Sequence, residues 1–474
     1  MPGEPQQSSY HPETPMLAIA DWLADPVAAA QFPQHRLRFR NDRAAGQTGL
    51  RTLDDEAWIE HFGQFRPLPG NLPQPLALRY HGHQFGSYNP DLGDGRGFLF
   101  AQLRADDGRL LDLGTKGSGQ TPYSRQGDGR LTLKGAVREI LATETLEALG
   151  VHTSRTLSVI ETGEQLHRAD EPSPARSAVL VRLSHGHIRV GSFQRLAAMG
   201  EDDHLRALVD YALVYYPGPP PPPDAPGRNQ APARLLHQVV ERLADLAASY
   251  ISAGFVHGVL NTDNMNISGE SFDYGPWRFL PHWEPGFTAA YFDHHGLYAF
   301  GRQAEAIKWN CAQLAIALRR ICPAEPLIAA VERYDALFTL ALGRRYAWRL
   351  GLKVDDTAAS LLVRQVEDAL TSAGLQPDSF FHAARTGNLP QDGHCKTLAA
   401  TLAASERAAD DHPYWSGDTA QSMQIDEVEA IWSAIDREDD WTRLHDKIAT
   451  IRNMGAAHGA PPLPAGHLPA AAQL

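Results

Sequence analysis

The sequence predicts an α+β fold in which a β-rich lobe is followed by a larger α-rich lobe. Three observations carry that expectation. Before a proline run at Pro219–Pro223, short apolar runs alternate with Asp-Gly and other polar turns, the pattern of paired strands. After the run, apolar residues return at helical spacing, with Leu236, Val239, Val240, Leu243, Leu246 and Tyr250 on one stripe. The prolines themselves favour an extended, exposed connector between the two regimes.

Taken in order, Gly97–Leu103 and Leu110–Leu113 form a hairpin around Asp106-Asp107-Gly108, with Lys116 just beyond its second strand. Lys134–Leu149 switches to helical spacing, carries Val137, Ile140, Leu141 and Ala148 on one side, and is stopped by Gly150. Strand-like runs return at Thr156–Glu161 and Ala178–Leu183, joined by a Thr162-Gly163-Glu164 turn and a polar, Pro-containing loop. Leu235–Ser252 is the first helix of the second lobe, and a Gly- and Asn-rich loop from Gly254 to Gly275 follows it. Helical spacing resumes with Ile307, Cys311, Leu314, Ala315 and Leu318 and dominates to the end. The expected organisation is an N-terminal extension (1–75) packing on the core, a β-rich lobe (76–216), a Pro-rich connector (217–234), an α-rich lobe (235–460) and a flexible tail (461–474).

The 474 residues carry 43 Lys and Arg against 56 Asp and Glu, a net charge of −13, so phosphate-neutralising binding to nucleic acid is disfavoured. The densest basic stretch, Arg36-Leu37-Arg38-Phe39-Arg40, reads as a solvated or substrate-edge segment. Three cysteines without a C-x-x-C exclude a disulfide framework and a cysteine zinc cluster. The pairs His81/His83, His185/His187 and His294/His295 find no further ligands to complete a transition-metal set. Met1–Trp22 shows no basic, apolar-cored leader, and no run approaches eighteen apolar residues. The expectation is a cytoplasmic monomer with no membrane or nucleic-acid partner.

The order of the chemical motifs resembles a protein kinase, and with it a bilobal fold whose β-rich lobe binds nucleotide. Leu92-Gly93-Asp94-Gly95-Arg96-Gly97 matches a Gly-rich loop, Lys116 the strand lysine and Glu139 the helix glutamate that holds it. A strand follows the glycines, which argues against a Rossmann turn. In the second lobe, Val256-His257-Gly258-Val259-Leu260-Asn261-Thr262-Asp263-Asn264 aligns with the kinase catalytic loop, and Asp273-Tyr274-Gly275 stands where the metal-binding Asp-Phe-Gly would be. Asn264 and Asp273 offer the hard oxygen donors that a phosphate-bound Mg²⁺ takes. Val259, however, occupies the position of the kinase base and accepts no proton. Asp263 is the nearby carboxylate able to do so.

Three long runs, Arg79–Gly86, Asp112–Arg125 and His257–Asn264, together resemble the selenoprotein O (YdiU) family of protein adenylyltransferases. The likeness spans about Gly70 to Ala315. It implies a kinase-like fold that binds ATP in a flipped orientation, so that AMP passes to a Ser, Thr or Tyr hydroxyl of a protein and pyrophosphate leaves. By the same resemblance Gly93, Gly95 and Arg96 contact nucleotide, Lys116 binds phosphate and is positioned by Glu139, and Asp128, Gly129, Arg182 and Arg189 reach the nucleotide. Asp263 is then the proton acceptor, and Asn264 and Asp273 bind Mg²⁺ or Mn²⁺, Asp273 also lying near ATP. Tyr80 and His81–Phe85 are expected to brace the nucleotide lobe. The family's usual terminal C-x-x-C or selenocysteine is absent, and redox control through it is unsupported. Two alternatives stand beside adenylyl transfer: Mn²⁺-dependent uridylyl transfer from UTP, and a catalytically silent ATP-binding scaffold.

Overall fold

A computed structural model describes residues 9–462 apart from Asp170, Ala409 and Asp410. The 461–474 tail expected from the sequence therefore lies, from residue 463, outside the described residues. Within them the chain forms an antiparallel sheet lobe and a helical lobe, the bilobal, kinase-like α+β arrangement that the sequence predicts.

The main sheet runs in the order Ala24–Pro26, Leu76–Leu78, Leu99–Arg104, Leu110–Lys116, Ala175–Ser184, Arg155–Leu166, Arg36–Arg40, with Leu131–Thr132 beside Ala175–Ser184. Successive side chains point to opposite faces, and both faces are covered. Phe100, Leu113, Val179 and Val181 meet Trp58 and Phe62 of the Asp55–Phe62 helix on one side. Leu99, Leu180 and Val159 meet Val137, Ile140 and Leu141 of the Leu133–Ala148 helix on the other. That second helix starts at a Thr132 cap whose side chain accepts from Gly135 N, and Gly150 follows its end at φ +76°.

Several local expectations are corrected. The 24–40 segment does more than pack on the core, because it supplies both edge strands of the sheet. Thr162-Gly163-Glu164 is no turn: the strand continues to Leu166, zipped by Thr162–Ser177 and Ser177–Glu164 hydrogen bonds across the pair, and Gly163 takes φ +78° near a register irregularity. The basic stretch is solvated only in part: Arg36 is exposed, while Arg38 and Arg40 are held by partners. Arg38 bonds Glu161 at 2.7 Å and lies 2.9 Å from Asp439, while Arg40 stacks on Trp58. Before the connector the chain is already helical, at Val190–Met199 and Asp202–Tyr215. The sequence counts 76–216 as a β-rich lobe and names no element between Leu183 and the connector, where Phe193 and Leu196, then Leu205, Leu208, Val209 and Ala212, form the buried faces of the two helices.

The helical lobe is built on Ala231–Ser252, whose buried Arg242 ties down the start of the connector through Tyr216 O (2.8 Å) and Pro217 O (2.6 Å). A two-residue pairing of Phe255–Val256 with Arg278–Phe279 then closes the segment that carries the chemistry. Four further helices between Tyr334 and Ala404 share a separate apolar core. The last helix, Thr442–His458, leaves that lobe and packs against Leu133–Ala148, where Gly455 lies close on Ala148. No helix among the described residues is long and apolar enough to cross a membrane.

Candidate active site

Lys116 ends the second hairpin strand and is buried where the two lobes face each other. Its ammonium meets Glu139 of the Leu133–Ala148 helix and, at 2.6 Å, Asp273 of the helical lobe. The sequence alone allows a surface ion pair at Lys116–Glu139. Both partners are in fact buried, so removing Lys116 leaves the Glu139 charge without its counter-charge, whereas removing Glu139 leaves Lys116 with Asp273. Asp273 adopts φ +62°, a strained conformation for a side-chain-bearing residue. Burial opposes its ionisation, yet Lys116, Arg96 and Arg182 hold its carboxyl well below the usual range.

Two adjoining cavities open from this point, of about 190 and 680 Å³. The inner one is lined by Gly93, Asp94, Gly95, Arg96, Lys116, Arg125, Arg182, His187, Arg189, Asp263 and Asp273. The outer one shares Gly95, Arg96, Arg125, Asp263 and Asp273 and adds Val259, Asn264, Asp128 and Gly129. Glu139 stands behind the wall and acts on it through Lys116.

The two arginines on the hinge side differ. Arg182 is buried over the Phe272 ring, and its Nε and Nη1 have no hydrogen-bond partner. Buried guanidinium donors left open in a cavity are suited to an anion that arrives as ligand. Arg189 is largely committed: Nη1 donates to Asp263 O (2.9 Å), Nη2 to Asp94 Oδ1 (3.0 Å), and Tyr80 and Phe272 sandwich its plane. Arg189 thus fixes Asp263 as well as lining the cavity.

Asp263 sits in the single helical turn Thr262–Asn264. Burial pushes its carboxyl up to about 6 against the pull of Arg189, and its Oδ1 has no partner. The turn is held from all sides: His257 Nε2 bonds Phe272 O at 3.0 Å, Asn310 donates to Leu260 O, Tyr298 donates to Asn261 Oδ1, and Asn264 Nδ2 donates to Val259 O. The hairpin Gly82–Gln84/Ser87–Asn89 adds to this, with His83 N donating to Thr262 Oγ1 (2.7 Å) and Phe85 N to Asn261 Oδ1 (3.1 Å). Residues 81–85 therefore brace the catalytic loop of the other lobe, while Tyr80 supports Arg189. Gly82 permits the approach, since a Cβ there would stand 3.0 Å from Thr262 Oγ1 and 3.3 Å from Asp263 Cβ.

The Gly-rich loop is clamped from above. Thr121 and Ser124 hydroxyls bond Asp94 O and Gly95 O, and the Tyr123 ring covers Gly93, where any Cβ would collide with it. Asp128 gives its carboxylate to Arg168 at 2.8 and 3.1 Å and caps Arg130 N, so it walls the outer chamber as an already paired group. Gly129 makes a tight turn at φ +69° against Gly119. Three groups acquire importance only in three dimensions: Asp94, Arg125 and His187. Asp94 lies inside the Gly-Asp-Gly-Arg tetrapeptide, Arg125 ends a long idiosyncratic run and His187 belongs to the His185/His187 pair, so each stands in a segment the sequence singles out without a role in the cavity.

The outer chamber suits a hard divalent cation. Its oxygen donors include the Asn264 amide and the Asp128, Asp263 and Asp273 carboxylates, with no Cys or His on its walls. Among the described residues no group of three or more His, Cys, Asp or Glu could hold a metal, so a cation here would complete its shell with phosphate oxygens and water, as Mg²⁺ does.

A sheet lobe and a helical lobe closing on Lys116, Glu139 and Asp273, with five cations around a cavity and no base at the kinase position, define a kinase-like nucleotide-transferring enzyme. The chain belongs to the family described as protein adenylyltransferase SelO, whose pattern matches residues 7–408. It is 42% identical to the protein nucleotidyltransferase YdiU of Gloeobacter violaceus over 94% of this chain and 95% of that one. It is 49% identical to the YdiU protein of Synechococcus elongatus, over 74% and 70% respectively. A rhoptry antigen kinase domain of Toxoplasma gondii aligns at 11% identity and TM-score 0.26, over 70% of this chain and 83% of that one, a likeness too distant to bear on the chemistry. The protein is a nucleotidyltransferase.

Proposed function

We propose that the protein transfers AMP from ATP to a Ser, Thr or Tyr hydroxyl of a protein substrate, in a Mg²⁺-dependent reaction that releases pyrophosphate. The observation that carries this reading is the cationic lining of the inner cavity, where Arg96, Lys116, Arg125, Arg182 and Arg189 replace the apolar slot that would suit a base. Such a lining favours the β- and γ-phosphates inside and leaves the α-phosphate beside Asp263. The hydroxyl oxygen forms a bond to the α-phosphorus, the bond to the β-bridging oxygen breaks, and the hydroxyl proton passes to the Asp263 carboxylate. Lys116 and Arg182 stabilise charge on the departing pyrophosphate. Arg189 holds the Asp263 backbone, and Glu139 holds Lys116. A bound divalent cation, held by Asn264 and Asp273, would neutralise phosphate charge.

The test compares α-³²P-ATP with γ-³²P-ATP, and α-³²P-UTP as competitor substrate, in Mg²⁺ or Mn²⁺. Protein-bound label from α-³²P-ATP in Mg²⁺ is the expected result. Label from the γ-phosphate alone would mean phosphoryl transfer and the opposite orientation of ATP. Preferential α-label from UTP in Mn²⁺ would reassign the nucleotide.

A further inference from the structure

Among the described residues, the exposed large aromatic side chains are Phe85, Tyr88, Tyr291, Phe292 and Trp309. Phe85 meets Phe292 at 5.7 Å between ring centres, Phe292 meets Tyr291 at 5.1 Å, and His83 links Tyr88 and Trp309 at 5.2 Å each. Phe85, Phe292 and Tyr291 thus form one ring cluster and Tyr88, His83 and Trp309 a second, and the hairpin Gly82–Gln84/Ser87–Asn89 with its Phe85-Gly86 loop contributes to both. Grouped exposed rings mark an interaction site, whereas scattered exposed apolar residues do not.

Its place is informative. Phe85 follows Gln84, which lines both cavities, and its own N–H bonds Asn261, two residues before Asp263. The patch is therefore continuous with the mouth of the cleft where an acceptor hydroxyl must arrive.

The backbone adds an independent observation. Phe85-Gly86 is the two-residue loop of its hairpin, with Gln84 paired to Ser87, and both loop residues have positive φ, +50° and +80°. A turn of this kind takes Asn, Asp or Gly at its first position. A bulky aromatic at positive φ is strained there. The Phe85 ring packs on Tyr298 and Phe292 and is still 39% exposed, which leaves an apolar face of it open to a partner.

We infer that this patch is the docking surface for the acceptor polypeptide, and that it selects hydroxyls flanked by an aromatic or large apolar side chain. The inference rests on the acceptor being a protein, as proposed above. Apolar contacts of this size discriminate by about tenfold or more in kcat/KM.

The experiment uses pairs of serine peptides that differ by Phe or Gln at each flanking position, with α-³²P-ATP. The parent protein is compared with Phe85→Asn and with Tyr291→Ser, the latter at a side chain 80% exposed. Phe85→Asn suits the turn and keeps the backbone N–H that bonds Asn261, and a thermal scan of both variants separates lost selectivity from misfolding. The expected result is a parent preference for Phe-flanked peptides of about tenfold, carried in KM, that collapses towards equality in both variants. Equal labelling of both peptide sets by the parent, or a preference that survives both substitutions, overturns the inference and leaves nucleotidyl transfer intact. Sedimentation that shows a dimer abolished by Tyr291→Ser would give the patch to a second copy and overturns it too. Absence of any α-label from the parent defeats the functional reading itself, and the inference falls with it.

Discussion

Arg452, on the last helix, places Nε and Nη2 on the two carboxylate oxygens of Glu144 at 2.7 and 2.6 Å, across 308 residues of chain. Glu144 is buried and stands on the same helix as Glu139, little more than a turn away. The C-terminal helix is therefore a brace for the helix that positions Lys116, and Lys134–Glu429 and Arg176–Asp439 extend the same contact. From the sequence, this third of the chain reads as a substrate platform or a support for the helical lobe. Its Tyr334–Ala404 helices do support that lobe, packing on Ala248 and Ile251 and pairing Arg345 with Asp245, while its last helix reaches to the sheet lobe, and nothing in its amphipathic pattern encodes which neighbour it meets.

Arg452→Ala should lower stability by about 2 kcal/mol, less than for a fully buried pair because the arginine is one-third exposed. It should also reduce transfer activity beyond the loss of folded protein, since the glutamate helix loses its outer support. Calorimetry with initial rates on the folded fraction checks both. A Tm drop with unchanged specific activity would make the brace purely structural.

Arg182→Met separates ligand binding from folding. Because Nε and Nη1 have no partners, the substitution deletes no protein hydrogen bond through them, and it relieves a buried charge. ATP affinity should fall by about tenfold or more while Tm stays level or rises. Titration of ATP beside a thermal scan gives both numbers; a large Tm loss with intact affinity would place Arg182 in the framework instead.

The chemistry-bearing residues were legible to an unequal degree. Lys116, Glu139, Asp263, Asn264 and Asp273 could be named because motif spacing fixes them, and the structure brings them to one cleft. Whether an arginine is free or committed is a matter of tertiary partners, so Arg182 and Arg189 look alike in sequence and differ in space. Asp128 shows the same limit: its tetrapeptide repeats that of Asp94, yet Asp94 holds Arg189 inside the cleft while Asp128 holds Arg168 at its rim. The hairpin of Leu99–Arg104 and Leu110–Lys116 was readable from its turn. The edge strands were not, because Arg36–Arg40 finds its partner more than a hundred residues away.

Asp263→Asn and Asp273→Asn should fail differently. The first keeps the shape of the turn and removes the proposed proton acceptor, so transfer should slow by about 10²–10⁴-fold with ATP affinity little changed. The second removes a charge that offsets Lys116 and a proposed metal donor, so both affinity and its dependence on Mg²⁺ should suffer. Isothermal titration of ATP with and without Mg²⁺ distinguishes the two. Loss of metal-dependent binding in Asp263→Asn would assign it to the metal.

Glu270 offers a pH test independent of catalysis. Burial pushes its carboxyl up to about 8, opposed by the His185 N–H it accepts at 2.9 Å and by Arg109, Arg155 and Arg182, while His152 lies 3.8 Å away. The folded state thus holds this proton more tightly than the unfolded chain, whose carboxyl titrates near 4.5. Its contribution to stability is full below that lower value and is lost as pH rises through about 8. Glu270→Gln fixes the neutral form. It should match the parent at pH 5 and exceed it at pH 8.5 by about 2–4 °C in Tm. The difference between the two curves, recorded in one buffer series, subtracts most of the slope that His152 and His185 contribute to both proteins. A constant difference across that range would show that Glu270 is ionised in the folded protein, with His152 as its counter-charge.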